Sequence, residues 1–153
     1  MRTQRARLTI IGMAPFAWIV GHPYAYPLLE VAHIFGMALL VGNLVLLELR
    51  VWGLGAALPL PALARLALGV SLAGFCLVAS SGLLMFAGQP GELIANRAFL
   101  LKMGLVSLAG TNAALFHARG GLQRLDALAR AQTILSLGLW IGVMICGRWI
   151  AYN

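Results

Sequence analysis

Four stretches of the chain run for about twenty residues with hardly a charge in them. The first extends from Pro27 to Leu49 and is uncharged between Val31 and Leu47. The second, Leu66 to Ala87, has no charge at all. The third, Ala98 to Ala118, is interrupted only by Lys102, and the fourth, Ala131 to Ala151, only by Arg148. A helix needs about 20 mostly apolar residues to cross the hydrocarbon of a bilayer. The pattern therefore predicts four transmembrane helices. Turn formers separate them: Gly53, Gly55, Pro59 and Pro61, then Gly88, Pro90 and Gly91, then Gly120 and Gly121. Short links make successive helices antiparallel. The expected architecture is all-α, an integral membrane antiparallel four-helix bundle.

The N-terminal segment reads differently. Arg2, Arg5 and Arg7 precede an apolar run from Leu8 to Val20 that Pro15 breaks. This run is short for a span, and no small-residue cleavage site follows it. Residues 1–26 are expected to form an N-terminal interfacial helix, with Trp18, Tyr24 and Tyr26 near the headgroups, and residues 27–153 the transmembrane domain. An uncleaved, signal-like fifth span is the competing reading.

Composition agrees with the pattern. The chain has 153 residues, 61% hydrophobic and 10% charged. A soluble domain carries about 25% charged residues, so lipid is the solvent that fits. The net charge of +7 comes largely from Arg residues at the ends of apolar runs. There they meet headgroups, and a nucleic-acid partner is not expected. Cys76 and Cys146 lie inside apolar runs and read as free thiols.

The end of the bundle where the first span starts is called side one, and the opposite end side two. Arg50, Arg65, Arg119, Arg124 and Arg130 fall in the side-two loops against Glu48 and Asp126. The side-one loop between spans has Arg97 against Glu92. Positive-inside counting makes side two cytoplasmic and side one periplasmic, in a bacterial inner membrane. Arg2, Arg5 and Arg7 run against that count.

Ionisable groups within a span are costly and mark function by default. Side one gathers His33, Lys102 and Arg148, together with Glu30, Met37, Met85, Arg97, Met103 and Met144, and His22 lies just outside. Glu30, His33 and Met37 follow an i, i+3, i+7 spacing and share a helix face. Gly36 borders that face and is expected to leave room for something bulky. An imidazole directed between helices beside a glycine is the arrangement of a haem b axial ligand. Arg97, Lys102 and Arg148 have the depth to meet haem propionates. His22, Met85, Met144 and Lys102 are candidate second ligands. A His33 satisfied by Glu30 or a nearby carbonyl, and a copper or other metal site at His33, are alternatives. His117 lies about 20 Å of helix away from the level of His33, and reads as an interfacial residue. Asn43 and Asn112 are expected to bond between helices, and Glu48 to pair with Arg50 and Arg65. No haem c motif, zinc-spaced cluster, phosphate loop or Ser/His/Asp arrangement is present.

"EVAHIFGMALLVGNLVLLELRVWGLG" (Glu30 to Gly55), "SSGLLMFAGQP" (Ser80 to Pro90) and "NRAFLLKMGLVSLAGTNAALFH" (Asn96 to His117) resemble signatures of a family of small bacterial membrane proteins of unknown function. The pattern is similar, more distantly, to HemJ-type protoporphyrinogen oxidases and to the copper-resistance D membrane domain. His33 and Lys102 match the first-helix His and later-helix Lys of the HemJ type, which implies haem b. Glu48 to Arg50 reads Glu-Leu-Arg where that type has Pro-Arg-Leu, which argues against oxidase activity. The functions expected are electron transfer as a haem b protein, copper handling or transport, or a cofactor-free subunit of a larger membrane complex. The expected partners are the lipid bilayer and a membrane redox partner or a second copy of the chain.

Overall fold

The computed structural model describes residues 16–152. The Arg2, Arg5, Arg7 and Leu8-to-Pro15 part of the N-terminal expectation lies outside them. Every regular element among the described residues is helical. A one-turn helix α1 (Trp18–Gly21) leads into α2 (Ala25–Val51). Then follow α3 (Leu60–Gly88), the short α4 (Pro90–Ala95), α5 (Arg97–Ala118), the one-turn α6 (Gly121–Arg124) and α7 (Ala127–Trp149). A 3₁₀ turn, Ile150–Tyr152, closes the chain's described part. The helices of α2, α3, α5 and α7 with its 3₁₀ extension are each long and apolar enough to cross a membrane.

The helix ends follow local chemistry. Pro61 sits in the first turn of α3, where a missing N–H costs nothing. The helix therefore starts at Leu60, six residues before the apolar run suggested, and Arg65 stands exposed on its first turns. The Asn96 side chain caps α5 by accepting the Ala98 and Phe99 N–H groups at 2.9 and 3.2 Å. Asp126 caps α7 by accepting the Ala129 N–H at 2.8 Å.

The distribution of side chains is the reverse of a water-soluble core. Leu28, Ile34, Leu66, Leu72, Leu83 and Ile134 are all more than 60% exposed. This exposed apolar surface is consistent with helices long and apolar enough to cross a membrane. Many of the buried positions are small or polar, Gly36, Ala64, Ala67, Ser71, Gly74, Ser81, Asn112, Ala129 and Thr133 among them, alongside larger residues such as Leu40, Leu47, Phe116, Trp140 and Val143. Small residues let backbones approach, which is the usual basis of helix contact in lipid.

Two helix pairs carry most of the packing, α2 with α3 and α5 with α7, and α2 also packs on α7. The α2–α3 pair is antiparallel. Down its length His33 meets Ser81, Gly36 meets Gly74, the Leu40 carbonyl accepts from Ser71, and Leu47 packs with Ala64 and Ala67. Along α5–α7, Lys102 lies by Gly147, Leu105 by Gly142, and Asn112 donates to the Gln132 carbonyl at 2.9 Å. A cluster of Leu40, Ala109, Trp140 and Val143 joins α2, α5 and α7. Toward side two, Trp52 Nε1 donates to Thr133 Oγ1 at 2.8 Å.

At side one, Gln89 donates to the Tyr26 hydroxyl at 3.0 Å, Phe86 stacks on Phe99, and Asn96 donates to the Ile150 carbonyl. Ile19 of α1 is buried and, with Val20, lies over Gly88 at the end of α3.

Candidate functional site

His33 leans from α2 onto α3. A Cβ placed on Gly82 would lie 3.3 Å from its Cε1 atom, so the ring occupies the space that a larger residue would fill. Its Nδ1 is 3.0 Å from Ser81 Oγ. The Ser81 hydroxyl has one proton, and the Leu77 carbonyl lies only 2.6 Å from its oxygen. That proton is therefore donated within α3, as is common for serine in an apolar helix. Ser81 Oγ then accepts, and His33 Nδ1 must carry the hydrogen. The neutral ring keeps its lone pair on Nε2. A hydrogen bond that fixes one imidazole nitrogen and frees the other is how ligand histidines are oriented. Glu30 is exposed and does not reach the ring, which instead meets Ser81 Oγ and the Val78 backbone.

Lys102 comes from α5. It is half-buried, reaches the backbone of α7 beside Gly147, and is close enough to His33 and Cys146 to interact electrostatically. A Cβ on Gly147 would lie 3.5 Å from Nζ. Among the described residues, Lys102 Nζ makes no hydrogen bond or salt bridge. A cation between apolar helices is costly and rare.

The remaining sequence candidates are placed as follows. His22 is exposed, and its Nδ1 accepts the Tyr24 and Ala25 N–H groups at 3.2 Å each. It thus caps the start of α2, eight residues and about 12 Å of helix from His33. Met85 is half-buried on α3, one turn beyond Ser81. Met103 and Met144 are exposed, and Met37 packs on the Leu40–Trp140 cluster. Arg97 is exposed. Arg148 is also exposed and donates to the Tyr152 hydroxyl at 2.7 Å. His33 packs on α3 and Lys102 on α7, within electrostatic range of each other and with no hydrogen bond between them, while His22, Arg97, Met144 and Arg148 are exposed. His117 is exposed at the end of α5 against Phe116.

Three sequence expectations are corrected. Gly36 does not open a slot. Its missing side chain is matched by Gly74: a Cβ on Gly36 would come to 2.9 Å of the Gly74 carbonyl, and one on Gly74 to 2.7 Å of the Gly36 carbonyl. The two glycines let α2 and α3 cross at backbone contact. Glu48 does not pair with Arg50 or Arg65. Arg50 donates to the Leu58 and Ala56 carbonyls, while Glu48 points inward. Asn43 does not bond between helices; it donates to the Leu39 carbonyl of its own helix. Asn112 does cross, as expected.

Among the described residues no three His, Cys, Asp or Glu side chains gather as a metal site. A single axial imidazole needs no such cluster. Ser81 was not singled out from the sequence, although Ser80 and Ser81 are the adjoining hydroxyls in an otherwise apolar run. No known protein family, characterised protein or solved structure matches this chain. Function has to be argued from the residues themselves.

Proposed function

We propose that the protein is a bundle of four helices in a bacterial inner membrane that binds haem b and passes electrons, with His33 Nε2 as axial ligand. The observation that carries this reading is the 3.0 Å approach of His33 Nδ1 to Ser81 Oγ, whose own proton is directed at the nearer Leu77 carbonyl at 2.6 Å. It presents a fixed, unprotonated nitrogen within a span. The second support is Lys102, a cation within electrostatic range of His33 and with no anion among its described neighbours, suited to a propionate. The resemblance to the HemJ type rests on these same two residues.

If haem b is bound, His33 would hold the iron and Lys102 would meet a propionate, on a side of His33 other than the closed Gly36–Gly74 contact. Met85 is the remaining candidate ligand on the packed side of α3. Haem b, when bound, supplies one-electron iron chemistry. The protein's part is to hold the imidazole tautomer through Ser81, offset negative charge through Lys102 and exclude water with the apolar faces around them. Inside-positive counting of the side-two arginines puts the site on the periplasmic side.

The visible spectrum of protein purified from haem-replete cells tests the proposal. A Soret band that weakens or shifts in His33→Ala supports it. A colourless protein contradicts it.

A second reading is favoured by the Gly36–Gly74 contact, which consumes the space beside His33 on α3. In that reading the helices pack as a cofactor-free subunit, and the His33–Ser81 bond is structural glue. A colourless product that co-purifies with a stable membrane partner is its signature. Copper handling has less support, because Met144 is exposed and His22 caps α2.

A further inference from the structure

We infer that Glu48 is a proton-binding site between the helices at the side-two end of α2, its carboxyl group carried as the neutral acid. Glu48 is 5% exposed, and its Oε2 atom is buried without a hydrogen-bond partner. It is the one side-chain oxygen or nitrogen in that condition among the described residues. Natural proteins rarely leave a polar atom in that state without a reason.

The surroundings decide which form of the acid fits. On α2 itself, Arg50 is committed to the Leu58 and Ala56 carbonyls. From α3, Leu60, Ala64, Ala67 and Leu68 pack at this level around Leu47, and Arg65 is exposed. From α7 the facing groups are Ser136, whose hydroxyl lies near enough to the carboxyl to act on it, and Thr133, bonded to Trp52. Arg130 of α7 is exposed. From α5, Asn112 is committed to the Gln132 carbonyl. No salt bridge reaches Glu48 among the described residues. An ionised carboxylate there has one donor for two charged oxygens and no counter-ion. A neutral acid leaves a single hydrogen bond unmade, which is the far smaller penalty.

The site is also within reach of protons. Val51, the last residue of α2, is three residues on, about 5 Å along the axis. Glu48 thus sits just inside the side-two boundary, where a proton can enter from water without crossing the span. His33 lies fifteen residues earlier, about 22 Å away along the helix (15 × 1.5 Å). The inference does not depend on what His33 binds.

Infrared difference spectroscopy of the full chain in lipid vesicles tests it. The expected result is a carbonyl band of a protonated carboxyl near neutral pH that is missing in Glu48→Gln. The band should bleach reversibly as the pH is raised. No band assignable to Glu48, or a band indifferent to pH until the protein unfolds, overturns the inference. Should Glu48→Gln fail to fold, Ser136→Ala provides the assignment. Removing that hydroxyl is expected to move the band to higher frequency, and an unmoved band counts against the site.

Discussion

Across the α2–α3 crossing, His33 Nδ1 and Ser81 Oγ lie 3.0 Å apart, and the Ser81 proton belongs to the Leu77 carbonyl. The direction of the bond between them follows from that. Ser81→Ala removes the acceptor and lets the ring rotate or change tautomer. Haem affinity is expected to fall by about 10- to 100-fold, the usual cost of losing a group that orients a metal-ligating histidine. Haem titration followed by absorbance measures it. An unchanged affinity would show that Ser81 does not set the ring.

The sequence offers both Lys102 and Arg148 as partners for an acidic group, but Lys102 is half-buried between helices and within electrostatic range of His33, whereas Arg148 is exposed and bonded to Tyr152. Lys102→Met is expected to weaken haem retention and shift the reduction potential. Arg148→Ala and Met144→Ala should leave both near the wild-type values, because those side chains are exposed. Redox titration of the three variants separates the cases. Equal effects from all three would remove the special role given to Lys102.

Gly36 and Gly74 form the closest helix approach. Gly74→Ala would force its Cβ to 2.7 Å from the Leu40 amide nitrogen and the Gly36 carbonyl. Overpacking of this kind costs about 1–3 kcal/mol. Gly138→Ala, with nothing within 4 Å of the new Cβ, should be neutral or stabilising by up to about 1 kcal/mol. Thermal unfolding in detergent ranks the two. Equal melting temperatures would mean the α2–α3 contact is looser than described.

The four long apolar helices were legible in the sequence because an uncharged run of about twenty residues has few other uses. Their ends were less so. α3 starts early because Pro61 favours a first turn, and α5 and α7 start where Asn96 and Asp126 can cap. His33 and Lys102 were legible as unusual residues. Gly36 was misread because a glycine near a histidine looks the same whether it admits a cofactor or another helix. Its partner Gly74 lies on a different span, and the register joining them is set by the whole α2–α3 pair. Ser81 was hidden for the same reason. Glu48 and Arg50 were matched as neighbours in sequence, yet residues two apart on a helix do not face each other.

Asp126 lies outside the spans, where its charge can be followed. The Ala129 N–H first, and then Arg119 at 2.8 Å, hold its carboxyl below the usual aspartate value. A depressed folded value means its stabilising effect is present above the unfolded value of about 3.9 and is lost as pH falls through the folded one. The melting temperature of Asp126→Asn should therefore trail the wild type near neutral pH and meet it in strong acid. A gap that persists unchanged in acid would mean that the cap, not the charge, does the stabilising.

The proposed ligation of haem b by His33 is decided by the oxidised and reduced absorption spectra of the full chain and of His33→Ala, each purified from haem-supplemented cells. A Soret band and reduced-state bands are expected in the wild type, lost or displaced in the variant. A wild-type protein without porphyrin absorbance, or a variant with an identical spectrum, would contradict it.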